Sequence, residues 1–426
     1  MSLSDSLVYA PKPSAVSGHK YRQNLPTYNK AEFYPGDTMM LNIPCGRKGQ
    51  FLNQRMSYIK FRLNNKCVLT AGEAAATPVV ATAPISPDYS GSSLFARLEL
   101  YHGSNLLEQI HEYNVLHALW SDMTGSAEAQ KSTGNVLEGI HATSDRVGAE
   151  VPLNGSKYFC IPLLSGIVGC MQNKYLPTGD MSGGDLRLEI TLANVSDGVV
   201  TTGRTSTGIF GWTIDSCELM LEYVELNSEA SRMISSQNAG GYMISFDSFA
   251  NYASTVDVGA TNANILIPAR YSSLKTLFSI FRLQSNIGLA SAKTVSQRAN
   301  PVSDAGQWYY SIGGKNVPST PVKSNAEAFA ELSKALHAFG AIDHTYMLTH
   351  ATWVAGDGTY IIAADLETMA HKSKLTESGI NTLSSNTHLI TQFGGAIQAN
   401  NALRVDTFAH YDAILIIQNG VCSVQF

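Results

Sequence analysis

His111 and Glu112, followed by His117, carry the residue types of a zinc-dependent hydrolase. The spacing does not. An H-E-x-x-H helix sets its histidines four apart on one face, whereas residues six apart lie about 240° round a helix. His337, Asp343, His344 and His350 form a second group, again without the ligand spacing of a structural or catalytic zinc site. Asp180 in PTGDMSGG and Asp357 in AGDGTY sit in glycine-rich loops. They lack the regular Asp/Asn spacing of a calcium loop, and turn chemistry accounts for them. No G-x-S-x-G, P-loop or G-x-G-x-x-G pattern occurs, which removes the usual support for nucleophile-elbow hydrolase, NTPase and Rossmann readings. The six cysteines, Cys45, Cys67, Cys160, Cys170, Cys217 and Cys422, include no C-x-x-C and are read as buried thiols. Tyr242, Phe246, Phe249 and Tyr252 have the ring types of a sugar-stacking surface, but at this spacing in a β protein they belong to a core or an interface. Asn154-Gly-Ser156 and Asn194-Val-Ser196 are formal glycosylation acceptors, expected to be silent without a signal peptide. No catalytic residue, cofactor or metal site is assigned, and the chain is read as not an enzyme.

The overall composition favours protein–protein contact. A chain of 426 residues with 44% apolar residues has room for two domains with sizeable cores. Charged residues make up only 15%, so small neutral polar groups cover much of the outside. Such groups are cheap to desolvate when they find partners. A net charge of −5 argues against a nucleic-acid-binding body. Residues 1–30 hold Lys12, Lys20, Arg22 and Lys30 but no arginine run, so direct or sequence-specific binding of a genome is not expected. No stretch is long and apolar enough for a membrane-spanning helix, and the first residues do not have the pattern of a secretory signal.

Period-two alternation dominates. Asp185, Arg187, Glu189 and Thr191 interleave with Leu186, Leu188, Ile190 and Leu192; Lys60, Arg62 and Asn64 interleave with Ile59, Phe61 and Leu63. Strands of this kind are wet on one face and buried on the other. Leu94–Leu100 repeats the pattern apart from Phe95, and the apolar Ala413–Ile417 fits a strand covered on both faces. Helices are expected over Asn325–Phe339, capped by Ser324 and Glu327 and stopped by Gly340, over Ile110–Met123, and from Asn227. Residues 71–87 read as an exposed excursion.

Short segments recur in the same order. Ile43-Pro44 and Ile267-Pro268 are followed by Phe61-Arg62-Leu63 and Phe281-Arg282-Leu283. Then come Leu116-His117-Ala118 and Leu336-His337-Ala338, Leu186-Arg187 and Leu403-Arg404, and Leu219-Met220-Leu221 and Ile414-Leu415-Ile416. The offset shortens late, as an insertion at 193–212 in the first half would give. The pattern points to an internal duplication.

The run SSLFARLELYHGSNLLEQIHEYNVLHALWSDM (92–123) resembles a segment of double jelly-roll major capsid proteins of DNA viruses. So does IPLLSGIVGCMQNKYLPTGDMSGGDLRLEITLAN (161–194), and ILIPARYSSLKTLFSIFR (265–282) resembles the opening of that family's second jelly roll. The likeness is to proteins of small eukaryotic DNA viruses and of polinton-like or adintovirus-like elements. It implies a mainly β fold of two tandem eight-stranded antiparallel jelly-roll sandwiches with a few short helices. The expected division is an arm at 1–34, a first jelly roll at 35–226, a connecting helix at 227–240 and a second jelly roll at 241–426. The implied function is a pseudo-hexagonal homotrimer tiling an icosahedral shell. Neighbouring capsomers, penton and minor capsid proteins are implied partners, with a host receptor or glycan at the outer loops. The implied location is the virion, assembled inside the host cell. Two alternatives compete: a single-jelly-roll capsid protein with a protruding domain, and a β-sandwich carbohydrate-binding protein or depolymerase.

Overall fold

The computed structural model describes residues 18–67, 84–140, 148–201, 211–238, 241–289, 292–340, 346–354, 357–368, 378–397 and 402–426. The eight longer strands of the first half build its sandwich: β1 (Gly18–Pro26), β2 (Thr38–Ile43), β3 (Gln50–Asn65), β4 (Phe95–His102), β5 (Asn105–His111), β6 (Ser156–Pro162), β7 (Leu186–Leu192) and β8 (Trp212–Leu226). They pair antiparallel into two sheets, β1-β8-β3-β6 and β2-β7-β4-β5. The second half supplies β9 (Tyr242–Val256), β10 (Asn262–Ile267), β11 (Leu274–Leu283), β12 (Gln307–Ile312), β13 (Lys315–Val322), β14 (Ile362–Asp365), β15 (Thr387–Gln392) and β16 (Leu403–Gln418). Their sheets are β9-β16-β11-β14 and β10-β15-β12-β13. Adding eight to each strand number of the first half reproduces the second. The two halves are therefore copies of one jelly roll, and the reading of the second half as an unlike protruding domain fails. A final strand, β17 (Val421–Gln425), turns back onto β16.

Both sandwiches close over aromatic cores. In the first, Phe61 of β3 lies 5.2 Å from Phe95 of the opposite sheet and 5.5 Å from Phe159 of β6, all three rings buried. In the second, the Tyr310 hydroxyl spans the sheets to Ser279 Oγ at 2.8 Å, beside buried Trp308.

Three of the helices on this frame matter for the site: α1 (Tyr113–Thr124), α2 (Ser228–Gln237) and α3 (Asn325–Ala335). Asn227 caps α2 by accepting from the Ala230 amide. Ser324 Oγ accepts from the Glu327 amide, while the Glu327 carboxylate reaches back to the Lys323 amide. The expected start of α1 at Ile110 is corrected: Ile110 still pairs with Leu98 in the sheet, and Glu112 in the left-handed region (φ 50°) turns the chain into the helix. α3 stops at Ala335, short of Phe339, where His337 takes φ 53° and Gly340 φ 79°.

Other expectations change too. Within the stretch read as an arm, 1–34, β1 pairs with β8 along its whole length from Gly18. Most of the excursion at 71–87 lies outside the described residues, but its end, Ile85–Pro87, is buried and pairs with Val199–Thr201. Of the sequence repeats, three fall on matching strands: the end of β2 and β10, the last third of β3 and the end of β11, and β8 with β16. Two do not. Leu186-Arg187 opens β7 whereas Leu403-Arg404 opens β16, and His117 lies inside α1 whereas His337 follows α3.

Phe61 has no space to collapse into between two neighbouring rings. Phe61→Ala is expected to cost about 3–5 kcal/mol of folding free energy, measured by chemical denaturation; a loss below about 1 kcal/mol would contradict this packing.

Candidate assembly site at the seam between the two sandwiches

The first sandwich meets the second through side chains that are ordinary by type and unusual in placement. Asp88, wholly buried, accepts from the amides of Thr294 and Val295, each at 2.6 Å, and from the amide and hydroxyl of Ser296. Glu108 of β5, buried, accepts from Ser248 Oγ of β9 at 2.7 Å, and from Ser165 Oγ and the Gly166 amide of its own half. Glu112 stands between Arg282 of β11 and Arg404 of β16, at 2.9 and 2.8 Å. Asp122 of α1 pairs with Arg298 at 2.7 Å, both side chains at 0% exposure. At the end of the molecule that holds α2, Asp180 accepts from Tyr242 at 2.6 Å. The polarity is one-sided, since these carboxylates belong to the first half and the donors that reach them across the seam belong to the second.

Apolar contacts fill the space between them. Trp120 of α1 meets Phe249 of β9 edge-on at 5.2 Å, and Phe249 stacks on His410 of β16 at 4.8 Å. The backbones approach closely at Gly166, where a Cβ would stand 2.1 Å from the Asp247 carbonyl oxygen. Any larger residue there would force the sandwiches apart. This gives a physical reason for the glycine in the IPLLSG segment.

Burial raises the Glu108 carboxyl above its ordinary value, against the hydrogen bonds it accepts. On the inner side of α1, His117 Nδ1 lies 2.9 Å from Ser92 Oγ, and its Nε2 is 3.9 Å from Glu138 Oε2, too far for a hydrogen bond. Burial pushes Glu138 up to about 7 and His117 down to about 4.

The residues weighed from sequence for metal chemistry do not converge. His111 is exposed at the end of β5, His117 is buried in α1, and His350 is exposed. His337 pairs with Glu367 at 2.6 Å. Asp343 and His344 lie outside the described residues, as does the side chain of Asp357. Among the described residues, no three His, Cys, Asp or Glu side chains group so as to hold a metal ion. None of the six cysteines is in a disulfide; Cys67, Cys217 and Cys422 are buried and the others half-buried. The aromatic stretch of β9 does belong to buried contacts: Phe246 and Phe249 are 4% and 0% exposed. Sequence reasoning missed the seam carboxylates. The available signal was acid in an apolar context, Glu108 between Leu107 and Ile110 and Asp122 beside Met123 on the apolar stripe of α1.

No family model matches the chain, and no curated protein matches it in sequence. Solved structures do. PBCV-1 VP54, as fitted into a cryo-EM reconstruction of the virophage Sputnik, is similar with a TM-score of 0.67 over 98% of both chains at 12% identity. The Faustovirus major capsid protein gives 0.60 over 97% of this chain and 92% of its own, at 10% identity. The mavirus major capsid protein gives 0.55 over 100% and 93%, at 8% identity. These neighbours are double jelly-roll proteins, and this chain has the double jelly-roll fold.

Two outcomes follow from the seam and the helix beneath it. Asp122→Ala removes the carboxylate that faces the buried Arg298 guanidinium and is expected to cost about 3–5 kcal/mol in a denaturant titration; a neutral substitution would show that the pair contributes nothing. Glu138 carries a raised carboxyl pKa, so its favourable contribution is complete below pH 4.5 and is lost as pH rises through about 7. His117 has the opposite sign, contributing above 6.5 and losing that contribution as pH falls through about 4. Glu138→Gln should therefore raise the melting temperature above pH 7 and leave it unchanged near pH 4, in thermal melts across that range.

Proposed function

We propose that this chain is a structural major capsid protein that assembles into pseudo-hexagonal homotrimers, which tile an icosahedral shell. The observation that carries the reading is the repetition of one strand order in two sandwiches fixed side by side. A threefold complex of such a chain presents six nearly equivalent sides, so one protein meets a hexagonal packing requirement. The likeness to capsid proteins of PBCV-1, Faustovirus and mavirus over nearly the whole chain supports the same reading.

In this account the role is assembly and not catalysis. The working division is a first jelly roll ending at 226, a connecting helix at 227–240 and a second jelly roll at 241–426. The chain acts in the virion, after assembly inside the host cell, with neighbouring capsomers as its main partners. Penton and minor capsid proteins would meet its rim, and a receptor or glycan its outer loops. Neither a cofactor nor a metal enters the mechanism, which is burial of complementary surfaces.

Light scattering on the purified protein at micromolar concentration should give three chain masses, and negative-stain images should show hexagonal blocks. A stable monomer at that concentration would overturn the proposal.

A further inference from the structure

Three adjacent strands of the second sandwich bring a lysine and two aspartates together. Asp247 of β9 stands directly opposite Asp412 of β16. Like charges facing across a ladder are unfavourable unless something lies between them. Lys275 of β11 takes that place. The register of β11 on β16 shifts at Lys275, between the pairs Leu274–Tyr411 and Thr276–His410, and an irregularity of this kind re-aims a side chain. Its Nζ lies 3.4 Å from Asp412 Oδ1, 3.2 Å from Asp247 Oδ2 and 3.5 Å from Glu367 Oε1. The side chains of Lys275, Asp412 and Glu367 are 16%, 6% and 5% exposed.

The groups around Asp412 are arranged for more than an ion pair. The Gly379 amide donates to Ser273 Oγ at 3.0 Å, and Ser273 Oγ donates to Asp412 Oδ2 at 2.9 Å. One oxygen of Asp412 is thus held by a hydroxyl of fixed direction, while the other faces the amine. On the far side His410 Nε2 lies 3.5 Å from Asp247, and His337 pairs with the second oxygen of Glu367 at 2.6 Å. Burial, and then the facing Asp247, push the Asp412 carboxyl up to about 6, so it takes a proton readily.

We propose that Lys275 and Asp412 condense to an amide, so that the folded chain makes its own covalent bond between β11 and β16. Asp247, in contact with Lys275 Nζ, takes one proton from the ammonium and delivers it to Asp412 Oδ1. The freed amine attacks Asp412 Cγ and forms the C–N bond, and the charge that develops on Oδ2 is met by the Ser273 hydroxyl. Asp247 then moves a second proton from the nitrogen to Oδ1, the Cγ–Oδ1 bond breaks, and one water leaves. Nothing is oxidised and no co-reactant is consumed. Groups held in contact by a fold react at effective concentrations of about 10⁵–10⁸ M, far above that of water. The amide also removes two charges from a site with little solvent. Against the effect of burial, Asp247, Asp412 and Glu367 raise the Lys275 ammonium above its ordinary value, so the step is slow and follows folding. The bond lies within one chain and does not depend on assembly.

The test uses the full chain, purified, incubated folded and then denatured for mass spectrometry. The parent should become lighter than its sequence by one water, and a digest should contain a branched peptide joining Lys275 to Asp412. Lys275→Arg should keep its full mass. Asp412→Asn should lose ammonia in place of water, because the side-chain nitrogen then leaves. Asp247→Asn, which cannot relay the proton, should leave most of the chain at full mass. Circular dichroism establishes that each variant is folded, and the peptide map of the parent decides where a variant is not. A folded parent that keeps its full mass throughout overturns the proposal, as does a lost water that maps to any other pair of residues.

Discussion

Asp122 and Arg298 meet where neither has any water, and their placement constrains everything on either side of the seam. Two charges removed from solvent cost several kcal/mol each, and their attraction recovers that only in a well-formed geometry. Few relative positions of the sandwiches allow Asp122, Asp88, Glu108 and Glu112 all to find their donors together. Apolar contact among Trp120, Phe249 and His410 supplies adhesion without strong direction. The carboxylates supply the direction. The close approach at Gly166 follows, since only that arrangement brings the backbone of the 161–170 segment against β9.

The duplicated halves were free to diverge because the seam uses them asymmetrically. Arg62 and Arg282 hold the same place in the sandwich and each pairs with an aspartate of the last strand. One is left half-wet on an open sheet, while the other is sealed and also carries Glu112. The helices after β5 and β13 show the same split: α1 is buried nearly all round, and α3 keeps an exposed face. Helix burial therefore tracks what lies outside the sandwich as well as what lies within it.

Much of this architecture was legible in the sequence. Strict alternation located β3 and β7, alternation broken at Phe95 located β4, and the Phe-Arg-Leu repeat located β3 and β11, because a half-buried strand leaves little freedom in the phase of its apolar residues. Other marks misled. Leu403-Arg404 resembled Leu186-Arg187 since any half-buried strand can open that way, although the two lie on different strands of the copy. Helix limits slipped at Ile110 and Phe339 because apolar spacing alone does not reveal a left-handed residue such as Glu112 or His337. The seam itself was almost invisible: an apolar context around Glu108 and Asp122 was the one local mark, nothing local distinguishes Asp88 from a solvated acid, and their partners lie far along the chain.

The connecting helix α2 has no buried residue. It is a tether more than a strut, and its contribution is proximity. By holding the sandwiches within reach it converts their meeting into an intramolecular event, equivalent to a local concentration on the order of millimolar. Closure inside one polypeptide thus has no dependence on how many others are present, whereas every contact beyond it does. The meeting of the two sandwiches is consequently built into the covalent connectivity and proceeds within one chain at any concentration.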